Sequence, residues 1–201
     1  MQIVDFSADH IEMATQLAKQ NYETERGFVP ALPAVDRMLD LKIFAKNGLG
    51  VAAFEGDTMV GFLCSFPPFK NAFRSTDATG VFSPMGANGA IGSNRAKTYA
   101  RLYQAAGEKW VRAGATSHAV CLYAHDKEAQ EQFFRYGFGL RCIDAVREMD
   151  EMTVQSCEGY SFSELAPQEI LEVLPLENML NDTFINSPFF MYRARESNAE
   201  F

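Results

Sequence analysis

The sequence predicts an α/β unit over residues 1–149, and three observations carry that prediction. Strand-length apolar runs and helix-periodic stretches follow one another in the order β-α-α-β-β-β-α-β-α-β. Two of the runs, Gly50–Glu55 and Thr58–Phe66, are joined by Gly56-Asp57, the short turn of an antiparallel hairpin. The chain has 201 residues, 47% of them apolar, with 17 Phe, 7 Tyr and 1 Trp. That is enough for one packed core and a fragment of a second, and it excludes global disorder.

Taken in order, Gln2–Phe6 alternates as a short strand. Asp9 stands three residues before Glu12, a helix-start signature, and Ile11, Ala14, Leu17, Ala18 and Tyr22 continue at helical spacing. Pro30 and Pro33 mark a loop. Val35, Leu39 and Ile43 recur every four residues and predict a second helix ending near Asn47-Gly48. After the hairpin and Pro67-Pro68, Thr79–Ser83 reads as a strand stopped by Pro84. Gly86–Asn94 is glycine-rich, and Gly86–Gly92 within it reads as a flexible insertion between strand and loop; it lacks the basic residues a phosphate loop would carry. From Arg95 the apolar stripe Tyr99, Leu102, Tyr103, Ala106 and Trp110 predicts a helix that Gly114 ends. Ser117–Tyr123 reads as a buried strand. Asp126 caps a helix carrying Ala129, Phe133 and Phe134, stopped by Gly137, and Leu140–Arg147 reads as the last strand of the unit.

Residues 150–159 read as an acidic linker. In 160–201, Tyr160–Leu165 alternates and Pro167 opens a helix interrupted at Pro175, which reads as the start of a second, incomplete unit or a dimerisation tail. The apolar residues Leu171, Leu174, Leu176, Met179 and Leu180 there suit a homodimer.

Lys plus Arg number 18 and Asp plus Glu 26, for a net charge of −8, which argues against a nucleic-acid partner. Residues 148–182 hold nine acids and no Lys or Arg, leaving the rest of the chain near +1. Such a run is a solvated face or meets a cationic substrate. No apolar run reaches the ~20 residues of a membrane span, and the first residues lack the pattern of a signal peptide, so no membrane partner and a cytoplasmic location are expected. The four cysteines, Cys64, Cys121, Cys142 and Cys157, lack C-x-x-C spacing and read as small buried hydrophobes, not as a disulfide frame or zinc site. The three histidines are too scattered for a metal site, and none is expected.

The basic segment is the chemical signal. Arg95, Lys97, Arg101, Lys109 and Arg112 face only Glu108 within residues 95–112. A helix whose first turn is basic favours an anion through its unpaired N–H groups, its dipole and its cationic side chains. The plainer reading is a solvated basic face.

The spacings in this region resemble those of the GNAT superfamily of acyl-CoA-dependent N-acetyltransferases. Arg95-Ala96-Lys97-Thr98-Tyr99-Ala100 is similar to the family's Q/R-x-x-G-x-G/A pyrophosphate loop, with Thr98 at the first glycine. Trp110 follows Ala100 by ten residues, as the family's helix aromatic does. Asp126, Ala129, Phe133, Gly137 and Phe138 are similar to the motif N-x-x-A, aromatic, G-F. The resemblance covers about residues 1–149, and the tail resembles the opening of a second GNAT-like unit, as in tandem members. It implies a mixed, mostly antiparallel sheet with helices on both faces. It implies acetyl-CoA as co-substrate, contacted by Phe82, Ser83, Arg95, Ala96, Lys97, Thr98, Tyr99, Ala100, Asp126 and Phe133. The pantetheine arm would pair with Gly80–Ser83, and the acceptor would be the amine of a small molecule or peptide.

Three departures carry consequences. Thr98 puts a side chain where backbone approaches phosphate, and its hydroxyl can replace a backbone contact. Asp126 adds a negative charge. Phe133 stands where the family's general-acid tyrosine often stands, and phenylalanine cannot donate a proton. Tyr123 and Tyr103 are phenolic candidates for that acid, against a plainer role in core packing. His125 is a candidate base, against a histidine hydrogen-bonded locally at the start of its helix. A non-catalytic acyl-CoA-binding or regulatory module is the alternative that Phe133 favours.

Overall fold

The structure is a computed structural model that describes residues 1–74, 78–151 and 158–186. The chain forms two compact units, one of residues 1–72 with 77–144 and one of residues 73–76 with 145–201.

The first unit is built on four antiparallel strands in the order β1-β2-β3-β5: β1 (Gln2–Asp5), β2 (Val51–Glu55), β3 (Thr58–Leu63) and β5 (Asn88–Ala90). A parallel pair, β4 (Gly80–Ser83) and β6 (Ser117–Val120), adjoins it. The Phe66 N–H donates to the Phe82 C=O, and Phe69 exchanges hydrogen bonds with Gly80, so the chain after β3 runs antiparallel to β4. The sheet has helices on both faces. On one side Ala14, Leu17 and Ala18 of α1 (Ile11–Phe28) and Phe44 of α2 (Lys42–Asn47) bury Ala52, Phe62 and Cys64. On the other, Tyr99, Leu102, Ala106 and Trp110 of α3 (Arg95–Arg112) bury Val51, Ala53, Leu63 and Val81, joined by Ala129 and Phe133 of α4 (Lys127–Arg135). The period-2 alternation of β2 thus splits Val51 and Ala53 from Ala52. The Trp110 indole N–H donates to the Leu49 C=O at 3.1 Å, which fixes the α3 stripe on the sheet.

Several expectations are corrected. The second helix starts at Lys42, not near Val35, because the Asp40 carboxylate accepts the Lys42 N–H at 3.0 Å and begins the helix there. Leu41 just before it and Phe44 within it join the core, while Ile43 is exposed. The first helix is preceded by a short 3-10 turn at Ala8–His10. There the Ser7 N–H donates to His10 Nδ1 at 3.0 Å, so Ser7 and His10 mark the start that Asp9 was expected to mark.

Gly86–Gly92 is no flexible insertion: Ala87 to Ala90 are buried, and β5 pairs with β3. The small residues there serve close packing. A Cβ on Gly89 would lie 2.6 Å from Leu17 and 2.7 Å from Asn21, and one on Gly61 opposite would lie 2.7 Å from the Thr98 methyl.

Leu140–Arg147 forms no strand, and Leu140, Ile143 and Val146 are exposed. Alternation states which face a strand would bury, but a strand also needs a neighbouring edge, and β6 pairs with β4 alone among the described residues. Cys142 is therefore exposed rather than buried, Cys121 is intermediate and Cys64 is buried. Cys157 lies outside the described residues.

In the second unit, Tyr160–Leu165 is irregular and exposed. A 3-10 segment, Pro167–Val173, leads into α5 (Leu174–Asn186), whose second residue is Pro175. Proline is tolerated there because the first-turn N–H has no helical partner to lose. Leu171, Leu176, Met179 and Leu180 are exposed. The expected tail beyond residue 186 lies outside the described residues. No helix among the described residues is long and apolar enough to cross a membrane.

Candidate functional site

The site is a parting of strands. β4 and β6 run in parallel register from Gly80↔Ser117 to Ser83↔Val120, and the Cys121 N–H donates to the Ser83 C=O as the last rung. Beyond it, a turn in which the Ala87 N–H donates to the Pro84 C=O carries one chain into β5 beside β3. The other chain, 121–126, leads to the start of α4. Buried Asn88 ties the point of divergence. Its Nδ2 donates to Ser83 Oγ at 3.1 Å and to the Cys121 C=O at 3.0 Å, and its Oδ1 accepts from the Tyr99 hydroxyl at 3.2 Å.

The Ile91 N–H donates to the Val60 C=O and the Cys64 N–H to the Ala87 C=O, so residues 87, 89 and 91 face β3. The backbone groups of Asn88 and Ala90 therefore face away from β3, toward the parting. A side-chain amide from α1 meets Ala90 there. In the orientation its neighbours dictate, the Asn21 amide N donates to the Ala90 C=O at 3.1 Å and its O accepts from the Ala90 N–H at 3.2 Å.

One turn further along α1, Glu25 reaches the other arm. Its Oε2 accepts from the His125 Nδ1–H in a short contact and faces the His125 backbone N–H at 3.3 Å. The side chains of His125 and Glu25 are only 9% and 7% exposed. The His125 ring stacks on Phe28 (5.2 Å, 5° between planes) and on Tyr123 (6.1 Å, 21°), and Tyr22 packs on Tyr123. Burial, helped by Tyr22 and Glu25, pushes the Tyr123 phenol up to about 12. His125 is thus bonded to a residue 100 positions away, not locally.

The start of α3 meets the end of the 121–126 arm. Arg95 Nε donates to Asp126 Oδ1 at 3.1 Å, and the same oxygen accepts the Ala129 N–H at 3.2 Å and caps α4 as expected. Asp126 therefore pairs with a cation rather than standing as a free negative charge. The Ala96 N–H faces Glu128 at 3.5 Å. Lys109 pairs with Asp5 and Arg112 with Glu108, whereas Lys97 and Arg101 are exposed. Thr98 is buried, with its hydroxyl on the Asn94 C=O at 3.2 Å and its methyl against Gly61. Its hydroxyl therefore does not stand in for a backbone contact to phosphate, since it is directed into the helix turn before it.

The remaining expected residues divide into two groups. Phe133 is buried edge-on against Tyr99, Tyr103 and Phe138, a core aromatic of the α3–α4 layer. Burial drives the Tyr99 phenol far up, with Asp126 and Tyr123 adding to it. Tyr103 belongs to the same layer, and its hydroxyl is engaged by His118 Nδ1 at 3.0 Å. Partial burial also pushes His118 down, and its ring lies edge-on to Trp110. Ser83 is buried under Asn88, and Phe82 packs on Phe66. Gly80–Ser83 has its ladder filled by β6, so the strand expected to take an extended ligand is already paired. The edge that no strand covers lies at Asn88 and Ala90, where the Asn21 amide engages Ala90.

Sequence reading missed Asn21, Glu25 and Phe28. The available signal was that Asn21 and Glu25 continue the buried Ala14, Leu17, Ala18 stripe at helical spacing, and a carboxylate on a buried stripe needs a partner. No cluster of His, Cys, Asp or Glu among the described residues has the geometry to hold a metal ion.

No protein-family model and no curated protein matches the chain. Solved structures do. A mutant of the BH1408 protein from Bacillus halodurans superposes with a TM-score of 0.55 at 13% identity, over 76% of this chain and 100% of that one. A mutant of TTHA1254 from Thermus thermophilus gives 0.52 at 20% identity, over 76% and 100%. The ribosomal-protein-alanine N-acetyltransferase of Brucella melitensis biovar Abortus 2308 gives 0.50 at 10% identity, over 74% and 100%. With helices on both faces of a mostly antiparallel sheet that parts between β5 and the chain after β6, this chain has the GNAT acetyltransferase fold.

Proposed function

We propose that the first unit transfers an acyl group from acyl-CoA, acetyl-CoA in the first instance, to the amine of a small molecule or peptide. The observation that carries this reading is the edge of β5 at Ala90. An extended ligand bearing amides, as pantetheine does, needs a strand edge that no neighbouring strand covers. The Asn21 amide engages both groups of Ala90 at once, which is the contact a ligand amide would make. The N-terminus of the 18-residue α3, with exposed Lys97, meets the 121–126 arm through the Arg95–Asp126 pair, and suits the pyrophosphate. Arg95 would contribute through its outer nitrogens while Nε holds Asp126.

Catalysis in this reading is direct. The amine attacks the thioester carbon, the C–S bond breaks, and the thiolate leaves. A CoA thiol, similar to free cysteine with its ordinary value of ~8.5, is a fair leaving group, which suits a site with Phe133 at the acid position. The test is thiol release from acetyl-CoA in the presence of a panel of primary amines and N-terminal peptides. Amine-dependent release supports transfer. CoA binding without release from any acceptor would favour the alternative, a binding module, which the burial of Phe133 in the core would suit.

A further inference from the structure

Buried carboxylates are costly unless paired, and Glu25 is paired with the one histidine that the hydrophobic layers do not account for. His10 is used by the Ser7 N–H and His118 by Tyr103. The pair spans two elements 100 residues apart. Asn21 and Glu25 are i,i+4 on α1, so they share one face at consecutive turns. Asn21 meets the β5 arm of the parting and Glu25 the 121–126 arm. The two arms of the parting thus carry a strand edge and a histidine, each met by α1. The carboxylate only accepts, so it fixes the hydrogen on Nδ1 and leaves the lone pair of a neutral ring on Nε2. Among the described residues no hydrogen-bond partner reaches Nε2, and the rings of Phe28 and Tyr123 stack near-parallel to the imidazole.

We infer that His125 is the general base of the transfer and Glu25 its positioning residue; this rests on the acyl-transfer reading above. The acceptor arrives as an ammonium. His125 Nε2 takes one proton from nitrogen, and the freed electron pair forms the C–N bond to the thioester carbon. The C–S bond breaks with its electrons going to sulfur. The second proton on nitrogen passes through solvent to the thiolate, and the imidazolium returns its proton to water. The other titratable groups around the ring are Tyr22 and Glu25 from α1, and Tyr123 and Asp126 from its own segment, the last held by Arg95.

The test compares the parent with His125→Gln, Glu25→Gln and Glu25→Asp. CoA affinity is measured by calorimetry. Thiol release from acetyl-CoA is measured across pH with spermidine and with hydroxylamine, whose nitrogen is largely unprotonated at neutral pH. The expected result is parent-like CoA affinity in all three variants. His125→Gln lowers kcat on spermidine by about 10²–10⁴-fold and removes the acid limb of the pH profile. Glu25→Gln lowers kcat to a similar order, because a carboxamide can donate to Nδ1 and move the ring hydrogen to Nε2. Glu25→Asp recovers part of the rate, and hydroxylamine is affected less than spermidine. An unchanged pH profile in His125→Gln overturns the assignment, as does loss of CoA binding in the glutamine variants, which would mark the pair as structural. A parent that binds CoA but transfers to neither acceptor also overturns it. A parent that binds no CoA overturns the acyl-transfer reading, and the affinity arm shows that separately.

Discussion

Asn88 is the residue on which the parting of the strands depends, and Asn88→Ala measures how much. Its amide donates to Ser83 Oγ (3.1 Å) and the Cys121 C=O (3.0 Å) and accepts the Tyr99 hydroxyl (3.2 Å), all at a residue that is 5% exposed. Truncation leaves the Tyr99 hydroxyl buried without an acceptor, at a cost of about 1–3 kcal/mol. Ser83 Oγ, fully buried, loses its donor, while the Cys121 carbonyl sits in a half-exposed residue where water recovers part of the loss. Together these give a destabilisation of about 3–5 kcal/mol, a large share of a domain's usual ~5–15 kcal/mol. Tyr99→Phe removes the orphan, so the double variant should cost less than the two single ones together by about 1–2 kcal/mol. Urea unfolding reads both quantities. With a slope near ~2 kcal/mol/M, the midpoint of Asn88→Ala falls by ~1.5–2.5 M. A loss under ~1 kcal/mol, or strict additivity with Tyr99→Phe, would show that the clamp does not hold the strands.

Other outcomes follow from the same geometry. Asn21→Ala removes the side chain that engages Ala90; the ligand-free protein loses about 1 kcal/mol while CoA binds more tightly in calorimetry, and weaker binding would mean that Asn21 holds the ligand instead. Phe133→Tyr places a hydroxyl among the edges of Tyr99, Tyr103 and Phe138 and lowers stability by about 1–3 kcal/mol, read by thermal unfolding. Gly61→Ala drives a Cβ to 2.7 Å from the Thr98 methyl and 3.0 Å from the Gly89 C=O, costing about 1–3 kcal/mol, and Thr98→Ser relieves part of it. Tyr123 is raised in the folded state, so its contribution is complete below the phenol's ordinary value near 10 and is lost as pH climbs through about 12; stability at high pH should fall less steeply in Tyr123→Phe.

The parts of the fold that local chemistry dictates were legible in the sequence. Gly56-Asp57 fixes a hairpin, Asp126 caps α4 through the Ala129 N–H, and the Tyr99 to Trp110 stripe can bury only one face. The parts that depend on a partner were not. Gly86–Gly92 looks like a flexible glycine tract until Leu17 and Asn21 are seen to need the space that the missing Cβ of Gly89 leaves. Leu140–Arg147 alternates as a strand would, yet no edge receives it among the described residues. In the site, Arg95 and Asp126 were each expected to contact cofactor, and that they are also bonded to each other was not legible across 31 positions. His125 was one of several weak candidates because its partner Glu25 lies 100 residues away, and sequence spacing does not reveal that α1 crosses the parting there.

The central claim is that the strand edge at Ala90 and the start of α3 form a site for acyl-CoA. Thermal unfolding with CoA tests it most directly. At 100-fold the dissociation constant, binding adds ~2.7 kcal/mol. For a chain of this size that raises the melting temperature by about 5–10 °C. The account predicts that rise in the parent, reduced in Lys97→Ala and Arg95→Ala and by added salt, since both side chains would meet phosphate. No rise at millimolar CoA would contradict it.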